Sequence, residues 1–328
     1  MKYLIVDTAN TFFRARHIAF RGADLDEKIG LSIHITMNSV NKVFRKFQAD
    51  HVVFCLEGRS WRKDFYEPYK KNRIVARQAL TDKELDEDKV FWETFTDLTN
   101  FLKDKSNCTV LRNEIAEADD LIARFIHKHP NDEHFIISSD TDFIQLISPN
   151  VKQYNGITDE LHTIEGIFDD KDNRVLDKKT KEPKVIPDPK WLLFEKCMRG
   201  DSSDNVFSAY PGVRKKGSRN KVGLLEAYGD KNRKGFNWNN LMLQRWVDHN
   251  EVEHRVLDDY NRNVTLVDLT AQPPEILEFI DETIDAIEPK NFPMVGARFL
   301  KFCGKYDLQR ISENIESYAH FLQLGYKE

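Results

Sequence analysis

The run Phe135-Ile136-Ile137-Ser138-Ser139-Asp140-Thr141-Asp142 begins as an unbroken apolar segment and ends in two acids two positions apart. Such a run reads as a strand covered on both faces, the kind found inside a parallel sheet. Two earlier runs share the form: Tyr3-Leu4-Ile5-Val6 ends in Asp7, and His51-Val52-Val53-Phe54-Cys55-Leu56 ends in Glu57. Helical stripes separate them. Met37, Val40, Val43, Phe44 and Phe47 fall on one face of residues 31–47, and Phe91, Phe95, Leu98 and Leu102 on one face of residues 85–102. A short strand at Thr109-Val110-Leu111 precedes Glu117-Ala118-Asp119-Asp120, which opens a further helix. Strands alternating with helices imply right-handed crossovers and a mostly parallel sheet, whose strand ends share one edge. Ligand chemistry in open α/β sheets sits at that edge.

Asp7, Glu57, Asp140 and Asp142 should converge there, with Glu117, Asp119 and Asp120 facing the same crevice from a helix start. Acids in a first helical turn also suit the helix dipole, and any single acid is ordinary in a chain with 54 of them. The recurrence at three strand ends is what singles these out. Two unpaired carboxylates ~4 Å apart repel by roughly 4 kcal/mol at an effective dielectric near 20, so such a cluster calls for cations. No clustered His or Cys accompanies the acids, which favours Mg²⁺, with Mn²⁺ able to substitute, over zinc. Two such ions clamp a phosphodiester, one activating water and one stabilising the leaving oxygen. The expected chemistry is phosphodiester hydrolysis without a side-chain nucleophile.

The net charge is −5, from 49 Lys and Arg against 54 Asp and Glu, but the cations are concentrated. Residues 59–77 hold seven basic side chains (Arg59, Arg62, Lys63, Lys70, Lys71, Arg73, Arg77) against two acids, with Trp61, Phe65, Tyr66 and Tyr69 interleaved. Cations that neutralise phosphates beside aromatics that stack on bases suit a single-strand channel. Residues 211–235 hold eight basic residues against two acids, opening on Pro211-Gly212-Val213-Arg214-Lys215-Lys216-Gly217, a hairpin-like turn suited to a duplex backbone. An acidic motif, Gly200-Asp201-Ser202-Ser203-Asp204-Asn205, precedes it, after a charged, hairpin-like insertion at residues 158–189.

Tyr69-Lys70-Lys71-Asn72-Arg73, Glu117-Ala118-Asp119-Asp120, Ser139-Asp140-Thr141-Asp142 and Gly200-Asp201-Ser202-Ser203-Asp204-Asn205 resemble, in order and spacing, the motifs of the 5′ nuclease family of flap endonucleases and 5′ to 3′ exonucleases. The short phage enzymes, such as the ribonucleases H of T-even bacteriophages, are the most similar branch. The resemblance implies a PIN-like α/β catalytic domain over residues 1–190, with a helical arch at about 58–95. A helical duplex-binding and C-terminal domain with a helix-hairpin-helix-type motif would follow over 191–328. It implies Asp7, Glu57, Glu117, Asp119 and Asp140 around a first metal ion, Asp142, Asp201 and Asp204 around a second, and Asp120 between them. Lys70 and Arg73 would hold the scissile phosphate. Arg62, Lys63, Tyr69, Lys71, Arg77, Arg214, Lys215 and Lys216 would contact nucleic acid, with Tyr69 stacking on a base. Implied substrates are flap or nicked DNA and RNA–DNA duplex, and implied partners a single-stranded-DNA-binding protein or sliding clamp.

Two departures stand out. The family usually has Asp where this chain has Glu57, and its hairpin turn usually reads Gly-x-Gly where only Gly212 remains, which argues against a potassium ion there. The expected activity is a Mg²⁺-dependent structure-specific 5′ nuclease that removes RNA primers and 5′ flaps in phage-type replication, acting as a monomer. An aspartyl-phosphate phosphatase using Asp7 is excluded because Ala9 stands where its second Asp is needed. A PIN-type ribonuclease and a non-catalytic flap-binding module are the remaining rivals. No apolar run reaches the ~18–20 residues of a membrane span, and an early Asp7 does not suit a secretory leader, so a cytoplasmic setting is expected, the host's if the chain is phage-encoded. The scattered Cys55, Cys108, Cys197 and Cys303 suggest neither disulfides nor a thiolate site.

Overall fold

The computed structural model describes residues 1–18 and 24–326, which divide into two compact units. The first comprises Met1–Arg59, Leu80–Ile186 and Glu275–Glu328. Its sheet is built from β1 (Lys2–Asp7), β2 (His51–Leu56), β3 (Thr109–Arg112), β4 (Glu133–Ile137), β5 (Val151–Asn155), β6 (Glu160–Thr163) and β7 (Gly166–Phe168), in the order β3-β2-β1-β4-β5-β6-β7. Pairing is parallel from β3 to β5 and antiparallel for β5–β6 and β6–β7. The insertion after residue 158 therefore extends the sheet with hairpin strands.

All six residues of β2 are buried, as are five of six in β1, because helices cover both sheet faces. On one face Leu4, Val6, Val52, Phe54, Phe135 and Ile137 join a core with the helices Leu25–Phe47 and Asp82–Lys105. On the other, Tyr3 meets Phe125 of the helix Ala118–Lys128 edge to face, with ring centroids 5.1 Å apart. The two long helices start earlier than their apolar stripes. Asp24 accepts from Glu27 N–H at 2.8 Å while the Glu27 carboxylate accepts from Asp24 N–H, and Thr81 with Glu84 forms the same reciprocal cap.

The C-terminal segment, expected in the helical domain, packs on the α/β unit instead. Phe299 and Phe302 of the helix Val295–Lys305, and Phe321 and Leu322 of Ile315–Gln323, belong to the same core as the sheet. His51 fixes this attachment. Its Nδ1–H donates to the Leu324 carbonyl at 3.0 Å, which leaves Nε2 to accept from Thr109 Oγ1 at 2.8 Å and Thr109 N–H at 3.2 Å. A carbonyl can only accept, so the tautomer is determined.

The second unit comprises Ser60–Ala79 and Pro187–Pro274. Phe194, Met198, Leu224, Trp238, Leu241 and Tyr260 form its core, and the hairpin β8 (Arg245–Val247) and β9 (Glu253–Arg255) is pinned by Trp246 Nε1–H donating to the Ala209 carbonyl at 3.0 Å. The segment Ser60–Ala79, expected as part of an arch on the catalytic domain, clusters here and carries the helix Lys71–Gln78. No described helix is long and apolar enough to cross a membrane, and the four cysteines are buried and unbridged.

Candidate metal centre and nucleic-acid interface

Parallel register brings the first acids together. Asp7 ends β1 opposite Cys55, and Val6 pairs with Ile137, so Ser138 stands level with Asp7. Glu57 lies just past β2, and Asp140 two residues beyond Ser138. Asp7 is 4% exposed; its carboxylate accepts from Ser138 Oγ at 2.8 Å and Asn10 N–H at 3.2 Å. Burial first, then the Glu57 charge, push its carboxyl up to about 7; Asp140 adds to the rise and the two hydrogen bonds oppose it. The buried Cys55 thiol is pushed well above its ordinary range by burial and then by Asp7, Asp119 and Glu57. Glu57 and Asp140 thus act on Asp7, and Asp7, Asp119 and Glu57 on Cys55, at the C-terminal edge of the parallel strands.

Local donors hold these acids apart. Glu57 Oε2 accepts from Ala118 N–H at 3.1 Å, and Asp140 Oδ1 from Asp142 N–H at 2.9 Å. Among the described residues no three His, Cys, Asp or Glu side chains converge closely enough to hold a metal ion as they stand. The donor set nonetheless fits a hard divalent cation: its ligands are all oxygens, and the buried Asp7 is destabilised as an anion by another carboxylate.

Asp120 caps its own helix. It is fully buried, and its Oδ2 accepts from Glu117 N–H at 3.1 Å, closing the first turn of Ala118–Lys128. Glu117 is itself buried at the N-cap position, and Asp142 lies partly exposed in the short 3₁₀ turn Thr141–Leu146.

Three supporting residues escaped the sequence reading. Asn10 Oδ1 accepts from Ser139 N–H and Oγ, each at 3.0 Å, tying the first helix to the end of β4. Ser138 holds Asp7. Gln153 of β5, 1% exposed, donates to the Ser138 carbonyl at 3.0 Å and the Asp140 carbonyl at 2.5 Å. In Val151-Lys152-Gln153-Tyr154-Asn155 the polar neighbours Lys152 and Asn155 leave Gln153 without a distinguishing signal.

In the helical unit the acids meet cations. Gly200–Val206 is a tight loop in which Asp201 and Val206 exchange backbone hydrogen bonds at 2.8 and 2.7 Å. Asp201 Oδ2 lies 2.7 Å from Lys196 Nζ, and Oδ1 accepts from Ser203 N–H and Oγ. Burial works against the Asp201 anion, but Lys196 and Ser203 outweigh it and hold the carboxyl below its ordinary value. Asp204 accepts from Arg73 Nη2 at 2.7 Å and from the Tyr69 hydroxyl at 2.9 Å, with Lys70 Nζ 3.7 Å away. Its carbonyl also accepts from Lys70 N–H at 2.8 Å.

Two members of the expected nucleic-acid set do other work. Tyr69 is 4% exposed, its ring in the core of the unit, so it has no free face for a base. Arg62 is 1% exposed and donates from Nε to the Leu266 carbonyl at 2.8 Å. Lys63, Lys71, Arg73 and Arg77 are exposed, as are Arg214, Lys215 and Lys216. The last three sit on a turn organised by Glu226, whose carboxylate accepts from Gly217 N–H and Gly223 N–H at 3.0 Å. A Cβ on Gly223 would lie 2.3 Å from Gly217 N, so only glycine allows this close approach.

A parallel α/β sheet that gathers carboxylates at one edge, with exposed cations on a separate helical unit, is the layout of a nucleic-acid-processing protein. The family model described as "5′-3′ exonuclease, N-terminal resolvase-like domain" matches residues 2–179, and the chain belongs to that family of 5′ nucleases. Flap endonuclease Xni of Shewanella piezotolerans is 27% identical over 231 residues, 69% of this chain and 77% of that protein. Ribonuclease H of Enterobacteria phage T4 is 36% identical over 141 residues, 39% of this chain and 45% of the relative. DNA polymerase I of Rhizobium leguminosarum is 28% identical over 260 residues, of which this chain spans only 21% of the length. Among solved structures, the T5 5′-exonuclease with bound zinc ions is similar in fold, with a TM-score of 0.59 at 20% identity over 88% of this chain and 100% of that one.

Proposed function

We propose that the chain is a structure-specific 5′ nuclease that removes RNA primers and 5′ flaps in phage-type replication, using two Mg²⁺ ions. The observation that carries this reading is the buried Asp7, whose carboxyl is pushed up to about 7 by burial and by Glu57 at the ligand-binding edge of a parallel sheet. Such a pocket favours a bound cation, and the substrates of this family are polyanions that need one. Asp7, Glu57, Glu117, Asp119 and Asp140 are the proposed donors to a first ion. Asp142, Asp201 and Asp204 are proposed for a second, on the family motif alone. When bound, such ions neutralise the phosphodiester and activate water for in-line displacement. The chain's own contribution is positional. Ser138 and Asn10 orient Asp7, while exposed Arg73 and partly exposed Lys70 present cations to the scissile phosphate. Arg214, Lys215 and Lys216 grip the duplex backbone.

A T5 flap endonuclease pseudo-enzyme–product complex with DNA and metal ions shares the fold, with a TM-score of 0.52 at 18% identity, and supports the nucleic-acid assignment. The ribonuclease H likeness supports RNA primers as substrate. The deciding experiment is cleavage of a 5′-end-labelled flap duplex in Mg²⁺, with EDTA and Asp140→Asn controls. Metal-dependent cuts near the junction, lost in the variant, are expected. A flap bound yet intact in both Mg²⁺ and Mn²⁺ would make the chain a non-catalytic flap-binding module. Cleavage confined to single-stranded RNA would make it a PIN-type ribonuclease.

A further inference from the structure

Phe236 is the most exposed large apolar side chain among the described residues, at 78%. A single exposed apolar residue is ordinary, and what distinguishes this one is how firmly its surroundings are fixed. It opens the helix Phe236–Met242 of the helical unit, after the short 3₁₀ turn Lys231–Arg233. The Asp230 carboxylate accepts from Asn237 N–H at 2.8 Å and Trp238 N–H at 2.7 Å, so these first amides of the helix are already satisfied. Lys234 N–H donates to the Lys231 carbonyl at 3.1 Å, and Gly235 N–H to that of Asp230 at 3.2 Å. Lys234 holds φ at +46°, and a Cβ on Gly235 would lie 2.5 Å from Asp230 Oδ2 and displace that carboxylate. Trp238, Leu241 and Met242 are buried and root the helix in the core of the unit. Phe236 thus stands on a fixed mount, with exposed Asn239 and Asn240 following it on the same helix face.

The nearest cations in sequence differ from those of the segment Ser60–Ala79. There Lys71 is paired with Glu67 and Arg73 with Asp204. Arg233 and Lys234 are exposed, and among the described residues neither is paired with an acid. Lys231 is turned to the core instead, its Nζ 5.6 Å from the Phe194 ring centre and 5.9 Å from that of Tyr260. Unpaired cations neutralise phosphates, and a bare aromatic ring offers its face to a base that has no other stacking partner. We propose that the turn Asp230–Phe236 is a single-strand contact: an unpaired base stacks on Phe236 while Arg233 and Lys234 take the phosphates beside it. The ligand is an unpaired nucleotide strand, of DNA or RNA. The inference rests on the nuclease reading and adds to it a place that holds the unpaired part of the substrate.

The test measures fluorescence anisotropy of the intact chain with end-labelled strands in EDTA. Oligothymidylate and oligouridylate are compared with an abasic strand of the same length, which keeps the phosphates and lacks the bases. Phe236→Ala should weaken binding of the base-bearing strand about tenfold, the scale of one lost stack, and of the abasic strand by less than about twofold. Phe236→Trp should bind the base-bearing strand at least as tightly as the natural chain. Arg233→Gln and Lys234→Gln should weaken base-bearing and abasic strands alike, each lowering the slope of log K against log salt by about 0.7. Whichever base-bearing strand loses affinity in Phe236→Ala is the ligand, so the two arms separate DNA from RNA. Circular dichroism establishes that each variant is folded. Equal losses for base-bearing and abasic strands, or no loss in Phe236→Ala, would overturn the stacking contact. Flap cleavage by the same preparations separates the failures. Cleavage with no effect of Phe236→Ala on strand binding discards this contact alone, whereas a chain that neither binds a strand nor cuts a flap in Mg²⁺ discards the nuclease reading with it.

Discussion

Asp7 and Asp204 are both aspartates of the same motif set, yet they stand in opposite electrostatic conditions. Asp7 is buried beside Glu57 and Asp140, and its carboxyl is pushed up to about 7. Asp204 is enclosed by Arg73, Tyr69 and Lys70, and its loop partner Asp201 is held below the ordinary range by Lys196 and Ser203 despite burial. Around Asp7 the neighbouring charges named are of its own sign, while around Asp201 and Asp204 they are of the opposite sign. The same residue type is thus disfavoured as an anion in one place and tied to cations in the other.

The largest expected effect breaks the α/β side of this contrast. Asp7→Asn or Asp140→Asn should lower flap cleavage in Mg²⁺ by about 10³-fold, the scale of losing a charged contributor to transition-state stabilisation. A rate assay at saturating flap checks it, and a loss below about tenfold would remove these residues from the chemistry.

The opposite edge of the same sheet supplies the next test, because there burial acts on a cation instead of an anion. Burial, against a hydrogen bond to the Leu324 carbonyl, depresses His51 from 6.5 to about 4. Between those values the unfolded chain binds the extra proton, so His51 stabilises the fold fully above pH 6.5 and loses that contribution as pH falls towards 4. Roughly 3 kcal/mol should disappear across that window. Urea midpoints at pH 7 and pH 4.5 should therefore differ more for the natural chain than for His51→Gln, and equal differences would show that the imidazole is not held neutral.

Stability in EDTA sharpens the contrast directly. Asp7→Asn sheds a buried, repelled charge and should raise the unfolding free energy by about 1 kcal/mol even though one donor loses its acceptor. Asp204→Asn strands Arg73 and Lys70 and should lower it by about 1 kcal/mol, the exposure of Arg73 keeping the loss modest. Thermal midpoints moving in the same direction would dissolve the distinction between the two regions.

How far the sequence foretold this arrangement differs between the regions for a physical reason. Three buried strands ending in acids, and the helices between them, are local patterns, so the sheet and the proximity of Glu57 and Asp140 to Asp7 were legible. Thr81 with Glu84 and Asp24 with Glu27 were also written in the chain, but the apolar stripes start later and drew the helix starts inward. The helical unit depends on partners far apart in sequence. Tyr69 meets Asp204 across 135 residues and Arg62 meets Leu266 across 204, and neither separation leaves a trace in a basic, aromatic run that reads as surface. The attachment of Leu324 to His51, across 273 residues, is of the same kind, and it sends the C-terminal helices to the sheet. Asp120 shows a different limit: an acid in a first helical turn suits both a metal and a cap, and the sequence does not reveal that its Oδ2 accepts from Glu117 N–H.

The smallest expected effect lies where the helical unit faces solvent. Lys215 and Lys216 are exposed on the Glu226-organised turn, with Lys215 Nζ 5.5 Å from the Trp191 ring centre. Neutralising one phosphate each, they should contribute binding that is uniform across sequences and weakened by salt. Lys216→Ala should loosen flap binding a few-fold and reduce the slope of log K against log salt by about 1, while leaving the Mg²⁺-dependent rate at saturating flap unchanged. Fluorescence anisotropy at several salt concentrations measures the slope. An unchanged slope would leave this turn as surface, and would place the substrate's electrostatic contact on Arg233 and Lys234 and on Lys63, Lys71, Arg73 and Arg77 of the segment that Asp204 holds.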